Sequence, residues 1–327
     1  MLSVPYSRLI LGFVPWYSFL IVLGAAFAVF LASREEKRAG LPKDTVIDFA
    51  LIALPCGIIG ARIYYVAFSW SQFKDDLLSV FRVWEGGIAI YGAVIAGLLA
   101  AWFFCRRKKI SFLTLCDVIA PGLVLAQALG RWGNYFNQEA YGLLITDPAL
   151  CFFPFGVQIQ GAGGLEWHMA TFFYESLWDF LVFVFLVIAR RKWFRYRGDV
   201  FCFYAFLYAC GRMVVEDFRM DSLYASSTLR ISQLLSVVVC LFLLLRYALM
   251  FRRSAAVRPV LLLIPVAPAV LTDLAASLWL SGLLHADFPV LTRFLLLAAC
   301  SAVNIIALIV LYGRYSKGAL IYADIKG

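Results

Sequence analysis

The stretch 112-FLTLCDVIAPGLVLAQALGRWGNYFNQEAYG-142 opens as an apolar run and closes on a polar cluster. Residues 112–132 are about as long and as apolar as one membrane crossing requires. Where the run meets water, residues 130–142 hold Arg131, Asn134, Asn137 and Glu139. Ionisable groups at membrane depth are costly and are usually retained for function. This helix end therefore reads as a site for a charged ligand.

Composition supports a membrane setting. Of 327 residues, 63% are hydrophobic and 15% charged, and the mean hydropathy is +0.86. A water-soluble globule could not hide that much apolar surface, whereas lipid-facing helices have no need to. The expected class is an all-α polytopic membrane helix bundle. The net charge of +9 is not read as nucleic-acid binding, because Lys and Arg accumulate on cytoplasmic loops in this class. The eight cysteines form no CxxC pair and seven fall in or beside apolar runs, so they read as small apolar fillers. The first apolar segment lacks a basic leader and a small-residue cleavage signal, and is expected to be an uncleaved span.

Working outward, crossings are expected near 14–32, 46–68, 87–105, 112–132, 170–189, 199–218, 231–250, 259–281 and 290–312. The linkers test this count. Basic residues gather at alternate ends: Arg34, Lys37, Arg38 and Lys43; Arg106 to Lys109; Arg190, Arg191, Lys192, Arg195 and Arg197; Arg246, Arg252, Arg253 and Arg258; Arg314, Lys317 and Lys326. These are 20 of the 29 Lys and Arg, which puts the N-terminus outside and the C-terminus in the cytoplasm. The longest linker, 133–169, is then outside.

The other arginines require explanations. Arg62, in Gly60-Ala61-Arg62, reads equally well as a snorkelling side chain or a functional one. Tyr208, Arg212, Glu216 and Arg219 are spaced four, four and three, within about 80° of one helix face. An internal salt-bridge ladder would account for that stripe, but it leaves a positive charge over, and Arg131 adds another. Surplus guanidiniums in a low-dielectric pocket call for an anion, and their planar fork suits phosphate oxygens. Around Arg131, Gly130, Gly133 and Gly142 allow close backbone approach, Asn134 and Asn137 supply donors and acceptors, and Glu139 is placed to buffer or orient the guanidinium. Tyr91 opens the third crossing among small residues (Gly92, Ala93, Ala96, Gly97 and Ala100), so its phenol points inward or belongs to the interfacial belt.

Other chemistries find little support. His168 and His285 are the only histidines, with no ligand-spaced cluster for a metal. Neither a phosphate loop nor a Gly-x-Ser-x-Gly occurs, and no cofactor is implied. What fits is a lipid-accessible anion pocket for a reaction in which a phospholipid phosphate leaves and a second substrate attacks.

The run Gly130-Arg131-Trp132-Gly133-Asn134-Tyr135-Phe136-Asn137-Gln138-Glu139…Gly142 resembles the signature of the bacterial prolipoprotein diacylglyceryl transferases. Further matches follow in order: Pro15-Trp16-Tyr17, Gly60-Ala61-Arg62, Trp84-Glu85-Gly86-Gly87 with Tyr91-Gly92, Tyr174-Glu175, the 208–219 stripe, and Ser232-Gln233-Leu234-Leu235-Ser236. The resemblance implies a seven-helix inner-membrane enzyme with its active site toward the outer face. Such an enzyme moves the diacylglyceryl group of phosphatidylglycerol to the lipobox cysteine of a prolipoprotein signal peptide and releases glycerol phosphate, the first step of lipoprotein maturation. It further implies Arg131, Arg212, Tyr91 and Asn134 as catalytic, with Arg131, Tyr17, Asn137, Glu139, Gly142, Tyr208, Glu216 and Arg219 binding the lipid. Residues 1–250 would form the transferase core, and 251–327 an extension with two more crossings, serving packing or partner contact.

Three departures qualify this. Many members have histidine where Tyr91 stands, so a histidine base is not available here; tyrosine is a weak base at neutral pH, and Tyr91 is expected to be a hydrogen-bond partner. The usual His-Pro-Ser-Gln is replaced by His168-Met169-Ala170-Thr171. The last ~75 residues have no counterpart in the seven-helix pattern. A transferase with the same donor and another acceptor, and a non-enzymatic anion or lipid transporter, are the alternatives. A repeat or interrupted helices would favour transport, and no repeat is apparent.

Overall fold

The computed structural model describes residues 7–161, 163–222, 230–254, 260–280 and 289–326, with side chains at 251–265, 277–280 and 315–326 outside that description. The side chains of Arg252, Arg253, Arg258, Lys317 and Lys326, all of His285, and the end residues of the expected crossing 259–281 thus lie outside the described residues.

A minimal antiparallel pair, β1 (Leu9–Ile10) and β2 (Val14–Pro15), leads into α1 (Trp16–Glu36) and α2 (Thr45–Phe68). Three short 3-10 turns between Trp70 and Glu85 precede α3 (Ile90–Lys108) and α4 (Phe112–Asn137). The hairpin of β3 (Gly156–Gly161) and β4 (Gly164–Met169) follows, paired from Gly156↔Met169 to Gly161↔Gly164. Then come α5 (Thr171–Lys192), α6 (Asp199–Glu216), α7 (Ile231–Ser254), α8 (Val260–Leu280) and α9 (Val290–Lys326). Among the described residues a helix stands at each of the nine expected crossings. Seven, α1 to α5, α7 and α9, are long and apolar enough to cross a membrane. The eighteen residues of α6 also reach that length but carry Asp199, Arg212 and Glu216. The chain is a polytopic helical membrane protein.

Two boundaries differ from the sequence reading. Helix α4 continues to Asn137, so Asn134 and Asn137 stand on its last turns and not in a linker. The segment 133–169 is no plain loop either: it contains the β3–β4 hairpin, whose alternation is too short and too polar to stand out beside the membrane helices.

The chain forms two compact units, residues 1–24, 124–195 and 202–327 in one and 25–123 with 196–201 in the other. In the second, Ala32, Leu41, Val46, Ala101, Phe104, Cys105, Leu115 and Val118 form a core. Glu36 accepts from the backbone of Asp44 (2.9 Å) and Val46 (3.1 Å), satisfying N–H groups at the start of α2 that have no partner inside the helix. Helices α2 and α3 meet at two glycines: a Cβ at Gly60 would stand 2.7 Å from the carbonyl oxygen of Gly92. That approach is the small-residue packing expected of membrane helices.

Arg62 decides the shape of the α2–α3 connection. It is buried, and its guanidinium donates to the carbonyls of Val80 (2.9 Å), Ser79 (2.6 Å), Gly86 (2.5 Å), Gly87 (2.8 Å) and Arg82 (3.4 Å), with Phe73 4.9 Å beneath it. This is not snorkelling; one side chain staples the connection between Phe68 and Ile90 through its main chain. At the surface of the same connection Arg82 pairs with Asp76 and Glu85, which hold its guanidinium above its ordinary pKa. Because a buried carbonyl left without a partner costs about 1–3 kcal/mol, Arg62→Ala is expected to destabilise the protein by at least about 3 kcal/mol. Arg62→Lys, with three donors on a single nitrogen, should restore little of it. Thermal unfolding in detergent micelles measures both, and a melting curve that matches wild type would dismiss the staple.

Candidate functional site

The unit containing residues 124–195 and 202–327 gathers a charged cluster from three helices. Arg131 stands near the end of α4, Glu175 in the first turns of α5, and Tyr208, Arg212 and Glu216 on one face of α6. Glu175, buried, is the hub. Arg131 Nη1 lies 3.0 Å from its Oε2, Arg212 Nη1 pairs with its Oε1, and Arg219 Nη1 lies 3.4 Å from its Oε2. Arg212 Nη2 pairs in addition with Glu216, one helical turn on. Arg219 approaches Glu216 at 3.9 Å and forms two hydrogen bonds with Asp221, Nε to Oδ1 (3.0 Å) and Nη2 to Oδ2 (2.9 Å). Tyr208 Oη closes the cluster, accepting from Arg131 Nη2 at 3.5 Å. Asp179, also buried, lies one turn along α5 from Glu175.

Two steps of the sequence argument are corrected here. Helix α6 ends at Glu216, so Arg219 lies past its end, in a turn where its N–H donates to the Glu216 carbonyl (3.2 Å). It still reaches the stripe because that turn continues the helical sense. The surplus of guanidiniums also disappears: three arginines face Glu175, Glu216 and Asp221. Glu175 comes from a different helix, 37 positions before Arg212, where a helix-face argument does not look. A signal for it existed. Glu175 and Asp179 are four residues apart in an otherwise apolar run, and carboxylates in a membrane helix ask for partners.

The polar end of α4 is built from backbone. Gln138 and Ala140 adopt left-handed φ values of 55° and 54°, turning the chain sharply after the helix. Thr171 Oγ1 donates to the Ala140 carbonyl at 2.6 Å. The Gly142 N–H donates to the Met169 carbonyl (2.9 Å), and His168 Nδ1 lies 2.9 Å from the Gly142 carbonyl oxygen. Gly142 also bridges Arg219, and the Met220 N–H donates to the Tyr141 carbonyl (3.2 Å). This turn thereby joins the end of β4 to the segment that carries Arg219. A Cβ at Gly142 would stand 2.8 Å from both Met169 Cβ and Thr171 Cγ2, so the position has no room for one. His168 is a buried anchor of the turn.

The remaining expected residues fall as follows. Asn134 is buried on α4, and its carbonyl accepts from the Glu139 N–H (3.0 Å). Asn137 Nδ2 donates to Glu139 Oε1 (3.2 Å), while the carboxylate against Arg131 is that of Glu175. Tyr17, at the start of α1, packs on Gly133, where a Cβ would come within 2.5 Å of its ring. Beside it Trp16 stacks on Phe136 at 4.8 Å. Tyr91 belongs to the unit of residues 25–123, at the start of α3, with its ring 6.2 Å from that of Tyr64.

Sequence comparison places these residues in a wider setting. A family model described as prolipoprotein diacylglyceryl transferase matches residues 9–249. A phosphatidylglycerol–prolipoprotein diacylglyceryl transferase of Enterococcus faecalis is 47% identical over 231 residues, covering 68% of this chain and 82% of the relative. The protein of that name from Streptococcus suis is 43% identical, over 73% and 89% of the two chains. One from Halalkalibacterium halodurans is 40% identical, over 81% and 93%.

Proposed function

This chain belongs to the prolipoprotein diacylglyceryl transferase family, and from that premise we propose that the Arg131–Glu175–Arg212 cluster is where its reaction occurs. The protein is a transferase that moves the diacylglyceryl group of phosphatidylglycerol to a prolipoprotein. The acceptor atom in our reading is the lipobox cysteine sulfur of the signal peptide. The thiolate attacks the terminal glyceryl carbon that bears the phosphate ester, a C–S bond forms, and the C–O bond breaks. Its electron pair leaves with the phosphate as glycerol phosphate, and the thiol proton passes to a base.

The observation that carries this reading is the convergence of Arg131, Arg212 and Arg219 on one buried carboxylate. Glu175 and Glu216 hold the guanidinium planes in place before any lipid arrives. Each guanidinium has five N–H donors. Arg131 gives one to Glu175 and one to Tyr208, and Arg212 gives two to carboxylates, so both retain donors for a phosphate. As the C–O bond breaks, negative charge grows on the leaving phosphate, and preorganised donors in a low-dielectric site stabilise that charge most. Asn134, Asn137, Glu139 and Gly142 shape the wall beside Arg131, and Tyr17 lines the lipid side. Tyr91 is assigned the role of a hydrogen-bond partner from the family resemblance alone. The basic loops orient the N-terminus and the site toward the outer face of the bacterial inner membrane. Residues 1–250 form the transferase core and 251–327 its extension.

The test is reconstitution in phosphatidylglycerol liposomes with a lipobox peptide, reading peptide mass and released glycerol phosphate. One diacylglyceryl group gained per glycerol phosphate released is expected, with no gain when serine replaces the cysteine or when phosphatidylethanolamine is the sole lipid. A peptide left unmodified while a relative's enzyme modifies it would reject the lipobox acceptor; modification from phosphatidylethanolamine alone would reject the donor assignment.

A further inference from the structure

The family match stops at residue 249, yet α9, forty residues later, packs directly on the helix that carries Arg212. Its first turn presents Arg293 to Asp217, the residue after Glu216. Arg293 Nε donates to Asp217 Oδ2 at 2.9 Å, Nη2 lies 2.6 Å from the same oxygen, and Nη2 donates to the Asp217 carbonyl at 3.4 Å. Asp217 is only 3% exposed. From the other side Arg230 comes within 3.7 Å of Asp217 Oδ1 and donates to the Glu216 carbonyl. Further along α9, Phe294 meets Phe218 with ring centroids 6.0 Å apart, Leu297 and Cys300 share a core with Met213 and Val237, and Ser301 Oγ donates to the Cys210 carbonyl at 3.0 Å. At about 100° per residue, positions 210, 213 and 217 lie roughly 100–160° around from Arg212. Helix α9 therefore backs the face of α6 opposite the charged stripe.

We propose that α9 is a brace for the active site and that Arg293 is a positioning residue, acting through Asp217 to set Glu216 and Arg212. This rests on the reading that Arg212 clamps the departing phosphate. A buried carboxylate must keep a partner. Without Arg293, Asp217 turns toward Arg230 or toward water, and Glu216, its chain neighbour, moves with it. Arg212 is held by Glu216, so its guanidinium leaves the place where phosphate charge develops. A displacement of about 1 Å can cost a factor of roughly 100 in rate.

The full-length protein in phosphatidylglycerol liposomes provides the test, with Arg293→Gln, Arg293→Lys, Ser301→Ala and Arg212→Ala assayed per folded molecule. Arg293→Gln, a shorter neutral donor whose amide nitrogen reaches no further than the arginine Nε, is expected to lower kcat by about 10- to 100-fold while KM for phosphatidylglycerol stays within about threefold. Arg293→Lys should recover most of the rate. Ser301→Ala, which removes a different contact of the same interface, should keep kcat within about twofold. A kcat near wild type in Arg293→Gln would overturn the proposal. So would equal losses in Arg293→Gln and Ser301→Ala, which would make α9 a generic packing element. If Arg212→Ala itself keeps its rate, the clamp reading fails first; if Arg212→Ala is inactive and Arg293→Gln is normal, only the brace fails.

Discussion

Arg212→Ala is expected to lower kcat/KM for diacylglyceryl transfer by at least about 100-fold, and Arg131→Ala by a similar factor. Removing one preorganised donor from a charge-stabilising site costs about 2.7–4 kcal/mol of transition-state energy, and each of these arginines supplies several donors and a full charge. Arg212 bridges Glu175 and Glu216, so its loss also leaves two buried carboxylates with fewer partners. Arg212→Lys separates the two effects. It keeps the charge and much of the stability but cannot engage two carboxylates and a phosphate from one planar fork. The expected outcome is a folded Lys variant with most of the alanine variant's loss in kcat. Initial rates in liposomes, normalised to the folded fraction by size-exclusion chromatography, measure this. Rates within about threefold of wild type in the folded Lys variant would mean that charge alone suffices and that bidentate geometry has no part.

Glu175→Ala is expected to be the most damaging single change in the molecule for stability. Three guanidiniums meet on this carboxylate, and removing one partner of a buried ionic group typically costs about 3–5 kcal/mol. Without Glu175, Arg131 and Arg212 face each other across an unscreened gap, and their mutual repulsion spreads them apart. Glu175→Gln keeps the side chain's volume and one acceptor oxygen, so it should fold better than the alanine variant. It should still lose at least about tenfold in kcat, because the arginine planes lose their common anchor. Raising phosphatidylglycerol should not restore the rate, since the deficit lies in geometry and not in occupancy. Thermal unfolding in detergent combined with saturation kinetics decides it. A Glu175→Gln variant with wild-type kcat would show that the arginines hold their places without the hub.

The nine helices among the described residues were legible along the chain because membrane insertion is a local constraint. Each crossing must be about twenty apolar residues, and Lys and Arg must collect at alternate ends. A composition rule of this kind needs no knowledge of neighbours. The charged cluster was partly legible for the same reason. Arg131 and Arg212 are conspicuous at the edges of apolar runs, and the spacing of Tyr208, Arg212 and Glu216 follows from helix periodicity alone.

What escaped were pairings between distant segments. Arg62 in isolation fits a snorkelling residue as well as any other, and only the folded connection reveals five carbonyls turned toward it. Glu175 was visible as one residue of a short match, yet its charge cancels an excess that the α6 stripe taken alone leaves. Arg293 receives no role from the sequence, because nothing in the residues around it connects it to Asp217, 76 positions earlier. The sequence by itself determined the class, where the helices lie and which ionisable residues stand near their ends, because hydrophobic length and helical period are properties of contiguous chain. Tertiary structure alone decided which carboxylate each guanidinium meets, since in a low-dielectric interior a charge is defined by the partner that packing delivers to it.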